Sequence, residues 1–169
     1  MPLTRAALEE ARRLDDTLGP PLAAYLEEHV DEELGHDETL LGDLELIGVR
    51  RAEVLAQVPS PSVAALVGQQ YYWIHHHHPV SFLGYVALME GYPPTPELIE
   101  VLVQRTGYPR AAFRTYVEHG ELDPGHRDRL DRTLDALPLD EADDIAIGLS
   151  AIATVALAAR SLEELLPEP

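Results

Sequence analysis

The sequence contains no cysteine. Disulfide bonds, thiolate nucleophiles, iron–sulfur clusters and cysteine-ligated zinc sites are therefore excluded. Any metal ion would have to be held by histidines and carboxylates. The chain has 8 histidines and 30 acidic residues that could serve.

Basic residues are scarce, with 12 Lys and Arg against 30 Asp and Glu and a formal net charge of −18. Binding to nucleic acid or to an anionic membrane requires clustered basic side chains. Neither is an expected partner of this chain.

Targeting and membrane-spanning signals are also lacking. The opening MPLTRAALEEARRLDD does not have the basic-then-apolar order of a secretory signal. The most apolar run, residues 145–159, contains Gly148 and Ser150 and is short for a bilayer span. We therefore expect a cytoplasmic protein.

The hydrophobic pattern is helical throughout, and no strand alternation, internal repeat or low-complexity linker interrupts it. We predict an all-α bundle of six or seven helices forming one domain, 1–169. The predicted segments are 4–18 with Thr4 as N-cap, 22–47 ending at Gly48, 50–57, 61–91 bent at Pro79, 97–105, 110–137, and a last helix capped by Asp140. Its core residues are predicted to be Ile145, Leu149, Ile152, Val155 and Leu162, and the final LPEP is expected to be a loose end.

The segment 22–47 organises the rest of the chain. At about 100° per residue its apolar stripe is interrupted by His29, Glu33 and His36. The stripe consists of Leu22, Leu26, His29, Glu33, His36, Leu40, Leu44 and Ile47. A carboxylate on a buried face is costly unless it is paired or bound to metal. Glu-x-x-His is also the spacing by which helical bundles bring ligands to iron or manganese.

Two further stripes carry ionisable residues. If the helix stays in phase across Pro79, one stripe holds Tyr72, His76, Leu83, Ala87 and Glu90. The other holds Ala112, Tyr116, His119, Asp123, His126, Leu130, Leu134 and Leu137. Neighbours on a helix point about 100° apart, so at most one or two of the four consecutive histidines 75–78 can face one site.

Several of these residues have a structural interpretation as well. Asp123-Pro124 also fits an N-cap followed by proline at the first helical position, in which case the helix breaks near Gly120. Glu90 precedes Gly91 at a helix end, where exposure is common. His29 could be a ligand, a core histidine or a residue that supports a ligand, and we favour the supporting role.

Tyr72 and His76 are candidates either to support the ligands or to line a substrate pocket. The aromatic residues Tyr71, Tyr72, Trp73 and Phe82 could line such a pocket, although aromatic residues at helical spacing more often belong to the core.

Taken together, three helices each present ionisable residues on an inward face. The six candidate metal ligands are Glu33, His36, Glu90, His119, Asp123 and His126. Three histidines and three carboxylates suit iron or manganese, and suit two ions more naturally than one.

These motifs resemble those of the haem-oxygenase-like di-iron oxidases and oxygenases, also called iron-containing redox enzymes. The resemblance covers about Leu22 to Ala159 and is carried by HVDEELGHDETLLGDLE, VGQQYYWIHHHHPVSFLGYVALMEGYPP and YVEHGELDPGHRDRLD. The family pattern is Glu-x-x-His, then a lone Glu, then His-x-x-x-Asp-x-x-His. All six of its positions are filled here by the expected residue types.

The resemblance implies a helical fold of the haem oxygenase type with an O₂-reactive centre of two iron ions, manganese being possible. No haem, flavin or nicotinamide is expected. It further implies a small-molecule substrate, an external reductant, a homodimer, and a helix bearing the last motif that is labile without metal. The implied reactions are N-oxygenation, desaturation or oxidative carbon–carbon cleavage. The chain is shorter than many members, so the pocket is expected to be more open or to be completed by a partner subunit.

Two other function classes compete with this hypothesis. One is a metal-free protein of the same fold that binds a small molecule or a partner helix, which would have no reason to keep the complete ligand set. The other is an iron-storage bundle, which would bind metal without substrate-dependent O₂ consumption.

Overall fold

The structure is a computed structural model that describes residues 1–166. These residues form eight longer α-helices and one of five residues, and contain no β-strand, so the all-α prediction is confirmed. The helices are α1 (Pro2–Ala11), α2 (Gly19–Glu32), α3 (His36–Leu46), α4 (Arg51–Leu55), α5 (Pro61–His76), α6 (Phe82–Gly91), α7 (Pro96–Thr106), α8 (Arg114–Ala136) and α9 (Glu141–Glu163). Residues 167–169, most of the predicted loose end, lie outside the described residues.

The helix α6 joins the two halves of the bundle, because it packs against α9 on one side and α8 on the other. The helix α1 packs against α2 and α5. The side chains that these contacts bury most completely are Leu22, Leu26, Val80, Phe82, Leu83 and Leu130. This core holds α2, α6 and α8, the helices on which most candidate ligands lie.

A glycine sets how closely α6 approaches α9. A Cβ atom at Gly84 would lie 2.2 Å from the carbonyl oxygen of Ile147 and 2.8 Å from the backbone nitrogen of Ala151. Any larger residue would have to push the two helices apart.

The predicted first two helices have different bounds. The helix α1 begins at Pro2 and ends at Ala11, and Thr4 is buried instead of acting as its cap. Asp16 then starts α2 by accepting the backbone N–H groups of Leu18 and Gly19, at 2.9 and 2.7 Å. The predicted continuous helix 22–47 is also wrong, because the chain leaves the helix at residues 33–35 and starts α3 at His36.

The predicted long helix 61–91 is two helices. The helix α5 ends at His76, a 3₁₀ turn spans Pro79–Ser81, and α6 follows. Between them His78 is extended and its Nδ1 accepts the backbone N–H of Val80 at 3.0 Å. The break destroys the helical phase on which Tyr72 and His76 were placed beside Glu90.

The third motif lies on an unbroken helix. After a 3₁₀ turn at Arg110–Phe113, α8 runs continuously through Pro124. The alternative of a break near Gly120 with Asp123 as N-cap is therefore wrong. A Cβ at Gly120 would lie 2.6 Å from the carbonyl oxygen of Pro94, so glycine here lets the chain after α6 cross α8 closely.

The predicted core face of α9 is in fact its exposed face. The exposed side chains include all five predicted core residues, Ile145, Leu149, Ile152, Val155 and Leu162. The buried side is small and polar, and Gln70 of α5 donates to Thr154 Oγ1 at 3.0 Å and accepts from Ser150 Oγ at 3.2 Å. Within residues 1–166, α9 is the one helix long and apolar enough to span a membrane, with a mean hydropathy of 1.8. Helices of soluble proteins also meet this criterion.

Candidate metal centre

The break between α2 and α3 brings Glu33 and His36 together. Glu33 follows the last residue of α2, Gly35 adopts a left-handed conformation with φ of 96°, and His36 is the first residue of α3. The left-handed region is accessible to glycine at little cost. Across this turn, His36 Nδ1–H donates to Glu33 Oε2 at 3.0 Å.

The other candidate ligands come from α6 and α8. Glu90 is buried near the end of α6, although its sequence position favoured exposure. On α8, Asp123 is 2% exposed and His126 is also buried, whereas His119 is half-buried. The two helices therefore present three of their four candidate side chains to the interior.

Five of the six predicted ligands form two overlapping groups. Glu33, His36 and His119 each offer one ligand atom, and these atoms lie within 4.8 Å of one another. Glu33, Glu90 and His126 do the same. Glu33 belongs to both groups, so the arrangement is that of two neighbouring cation sites sharing one carboxylate.

Asp123 lies beside these groups without completing either of them. Its Oδ1 is 3.8 Å from His126 Nδ1, and His126 Nδ1 is in turn 3.9 Å from Glu33 Oε1. The sixth predicted residue therefore borders the pair of sites.

The cluster contains buried polar atoms that make no hydrogen bond within the protein. They are Glu90 Oε2, Asp123 Oδ1 and His126 Nδ1. Buried polar atoms are almost always paired, and leaving one unpaired costs about 1–3 kcal/mol. Oxygen and nitrogen atoms of this kind are ligands of divalent metal ions, so the donor set fits such a metal.

The hydrogen bond made by His119 leaves its other ring nitrogen free. His119 Nδ1–H donates to the carbonyl oxygen of Thr115 at 2.8 Å. The backbone carbonyl can only accept, so the proton is on Nδ1 and Nε2 keeps its lone pair. Metal-binding histidines are commonly oriented by such a bond to a carbonyl group.

The cluster holds more negative charge than its surroundings can stabilise. Burial raises the pKa of Glu90 from its ordinary value of 4.5 to about 8, and the nearby carboxylates of Glu33 and Asp123 act in the same direction. Burial also raises the pKa of Asp123, against the opposing effect of His119 and His126. Positive ions would stabilise the ionised carboxylates in place of protons.

Of the three predicted supporting residues, His29 alone lies at the cluster. Its Nε2 is 3.3 Å from Glu90 Oε1, and its ring stacks on Tyr25 at a centroid distance of 5.8 Å. Burial lowers the pKa of His29 and favours its neutral form. Tyr72 is 58% exposed and His76 is also exposed, both on α5 away from the ligands, so the structure does not support their predicted role.

The run of four histidines does not reach the cluster. His75 Nδ1 lies 3.1 Å from Glu10 of α1, and His78 Nε2 lies 3.3 Å from Asp16 in the turn before α2. These contacts tie the end of α5 to the start of the chain.

Sequence reasoning missed three polar residues around the ligands. Glu32 Oε2 is 3.7 Å from His126 Nε2, and Glu32 also pairs with Arg129 one turn further along α8. Asp43 is buried on α3 and accepts the backbone N–H of Thr115 at 2.7 Å. Arg129 could have been predicted, because it lies three residues after His126 and so near the same face of the helix. Asp43 could not, because the predicted helix 22–47 starts at the wrong residue.

Two cavities adjoin the cluster. One of 220 Å³ is lined by His29, Glu33, Phe82, Tyr85, Met89 and Glu90 among others, and is bounded on one side by Met1 and Thr4 of the chain start. The other, of 210 Å³, is lined by Met89, Tyr92, Thr115, Tyr116, His119 and Asp123. Of the four aromatic residues proposed as pocket lining, Phe82 alone borders these cavities.

Known proteins give two comparisons. A domain of unknown function with a haem oxygenase-like fold from Shewanella denitrificans OS217, whose crystal structure was determined at 2.30 Å resolution, superimposes with a TM-score of 0.83. The match has 20% sequence identity and covers 95% of this chain and 69% of that chain, which shows the fold. No curated protein matches the sequence.

The family model described as iron-containing redox enzyme matches residues 9–159. That stretch includes all six predicted ligands and all the helices from α2 to α8. The chain therefore belongs to the iron-containing redox enzyme family.

Proposed function

We propose that this protein is a non-haem di-iron oxidoreductase that uses O₂ to oxidise a small organic substrate. The observation that carries the proposal is the pair of ligand groups sharing Glu33, surrounded by buried polar atoms that lack partners. Two iron ions bound there would supply the electrons and the open coordination positions that reaction with O₂ requires. An external reductant would return the centre to its reduced state.

The protein's own residues have separable roles in this proposal. Glu33 is positioned to join the two cations, His36 and His119 to hold one of them, and Glu90 and His126 to hold the other. The Glu90 carboxyl, with its raised pKa, would give up its proton when a cation binds.

In this proposal the substrate would occupy the cavity next to Glu90. The aromatic and aliphatic side chains of Phe82, Tyr85 and Met89 form an apolar wall next to Glu90 and would exclude water from the reacting part of the substrate. N-oxygenation, desaturation and oxidative carbon–carbon cleavage are the reactions compatible with this proposal.

Anaerobic titration with Fe(II) tests the proposal. We expect the wild-type protein to bind about two ions per chain, Glu33→Ala to lose both and His126→Ala to lose one. His76→Ala is the matched control, because it removes an exposed histidine of α5 and should bind as the wild type does. Failure of the wild type to bind, or equal binding by all four proteins, would contradict the proposal.

Exposure of the loaded protein to O₂ separates the competing functions. A di-iron oxidoreductase should consume O₂ faster when a substrate is added from a panel of amines, amino acids and fatty acids. An iron-storage bundle would bind and oxidise iron without that dependence and would assemble into a large particle. A metal-free binding protein would show neither effect.

A further inference from the structure

We propose that Asp43 is a positioning residue that fixes the orientation of His119, acting from α3 through the first turn of α8. The inference rests on the proposed function in that it assigns His119 to one of the two cations. Asp43 does not belong to either ligand group.

The start of α8 lacks a cap from its own sequence. The residue before the helix is Phe113, whose side chain cannot accept a hydrogen bond, so a side-chain cap for α8 has to come from another element. Asp43 Oδ2 accepts the N–H of Thr115, the second residue of α8, at 2.7 Å. Asp43 therefore caps α8 from a neighbouring helix, the function an N-cap aspartate ordinarily performs within its own helix.

The same residue of α8 holds His119. The carbonyl oxygen of Thr115 accepts the Nδ1–H of His119 at 2.8 Å. Thr115 is thus fixed at its N–H by Asp43, while its carbonyl sets the tautomer and the ring orientation of His119. Contacts therefore run without a gap from the Asp43 carboxylate through Thr115 to the His119 ring.

The burial of Asp43 indicates that this contact is built into the fold. The side chain is 3% exposed, and its Oδ1 makes no hydrogen bond, with the Arg114 Nε as its nearest cation at 3.7 Å. An aspartate that only served solubility would not be placed there, because an incompletely paired buried carboxylate is costly.

The helix α3 thereby holds one side of the centre in two places. Its first residue is His36, and Asp43 lies two turns later on the same helix. The rings of His36 and His119 lie 4.8 Å apart at their centroids. Loss of Asp43 should allow His119 to move away from His36 without disturbing Glu90 or His126.

The test compares two cap removals. Asp43→Ala should weaken binding of one Fe(II) ion by about 10–100-fold, the range found for residues that orient metal ligands, and should leave the other ion unchanged. The loss should match that of His119→Ala in which ion is affected. Asp140→Ala is the control. Asp140 caps α9 by accepting the backbone N–H groups of Ala142 and Asp143 at 2.8 and 2.9 Å. Its removal should leave both ions bound normally.

A second readout is independent of metal. In the metal-free wild type, ¹⁵N NMR of the histidine rings should show His119 protonated at Nδ1. Asp43→Ala should lose that preference. Asp43→Asn keeps an acceptor oxygen and should retain it. Asp43→Leu, which has a similar volume and no acceptor atom, replaces the alanine variant if the latter does not fold. An unchanged His119 signal in the variant without the acceptor overturns the inference.

The two proposals fail in different ways. If the wild type binds no Fe(II), the proposed function is wrong, and the NMR comparison still decides the role of Asp43. If the wild type binds two ions and Asp43→Ala binds both as tightly, or loses both equally, the function stands and the assignment of Asp43 is wrong.

Discussion

Glu33 is the side chain on which both ligand groups depend. It belongs to each group, while His36 and His119 belong to one and Glu90 and His126 to the other. A substitution of Glu33 should therefore weaken the binding of both cations.

Substitutions of Glu33 and of His36 should differ in the number of bound ions that they affect. We expect Glu33→Gln to lower the affinity for both Fe(II) ions by at least about tenfold and His36→Ala to lower the affinity for one. Anaerobic equilibrium titration that resolves the two binding steps measures both outcomes. A Glu33→Gln protein that loses a single ion would show that the groups are not bridged.

Glu90 gives the metal-free protein a dependence on pH. Its pKa rises from 4.5 to about 8 on folding, chiefly through burial, so the folded state binds the proton more tightly than the unfolded state does. The contribution of Glu90 to stability is then fully present below pH 4.5 and is lost as the pH rises through about 8.

Denaturant unfolding at several pH values checks this linkage. We expect metal-free Glu90→Gln to lose less stability than the wild type between pH 5 and pH 8, and to exceed it at pH 8 by about 1–3 kcal/mol. Glu97→Gln, at an exposed position in the first turn of α7, should keep the wild-type profile. Parallel profiles for the wild type and Glu90→Gln would contradict the assignment.

At the scale of single elements, the contact between α6 and α9 depends on the absence of a side chain. The ideal Cβ position at Gly84 overlaps the backbone of α9, and backbone atoms cannot rotate away as a flexible side chain can. Packing of α6 in turn fixes Glu90, which lies six residues later on the same helix.

Gly84→Ala and Gly148→Ala should shift stability in opposite directions. We expect Gly84→Ala to lower the free energy of unfolding by about 1–3 kcal/mol through overpacking. Gly148 lies inside α9 with no atom within 4 Å of its Cβ position, so Gly148→Ala should raise it by about 0.5–1 kcal/mol. Chemical denaturation measures both, and equal effects of the two substitutions would refute the close packing.

The helical pattern predicted the inward face of α8 from His119 onward, but it selected the exposed face of α9 and misplaced several helix ends. Glu33, His36, Glu90, His119, Asp123 and His126 were placed on inward stripes, and the structure brings five of them into two groups and Asp123 alongside. Glu33 and His36 lie in contact although the helix predicted to carry both is broken between them, because a left-handed Gly35 returns His36 to the side of Glu33.

The failures arise where local chemistry competes with periodicity. At His77-His78-Pro79 the proline favours extended backbone before it, and the 3₁₀ turn resets the phase. At Asp123-Pro124 the same kind of signal was overridden, since Asp123 and His126 are buried by packing of α8 against the bundle. The sequence alone does not show whether a helix-breaking residue or the packing of the folded protein decides if a helix continues.

At the scale of the whole molecule, the outer face of α9 lacks a partner within residues 1–166. Residues 145–159 contain no Asp, Glu, Lys or Arg, although the chain has a formal net charge of −18. Four large apolar side chains along it are about half exposed or more, with Ile152 at 69%. Exposed apolar patches of this size commonly mark an interaction surface.

The pattern of this face suits a second copy of the same chain, and we propose that two chains associate through it. Ile145, Leu149, Ile152, Val155 and Ala159 are spaced by four, three, three and four residues, the same order from either end. A two-fold axis at Ile152 would therefore place Leu149 of one antiparallel helix opposite Val155 of the other.

The neighbouring helix extends the uncharged surface. The 23-residue helix α9 is about 35 Å long. It packs against α5, which contains no Asp, Glu, Lys or Arg and exposes Val63 and Val67. An anionic membrane is a poor alternative occupant, because the protein's own negative charge opposes it.

Sedimentation equilibrium decides whether α9 has this role. We expect the wild type to have twice the chain mass of 18.7 kDa, and Ile152→Arg to be monomeric, because an arginine at the two-fold axis would meet its own copy in an apolar contact. Val58→Arg, at a 90% exposed position before α5, adds the same charge elsewhere and should remain dimeric. A monomeric wild type would contradict self-association. So would a monomer that pellets with neutral phosphatidylcholine vesicles and loses this binding in Ile152→Arg, because the apolar face would then be inserted in lipid.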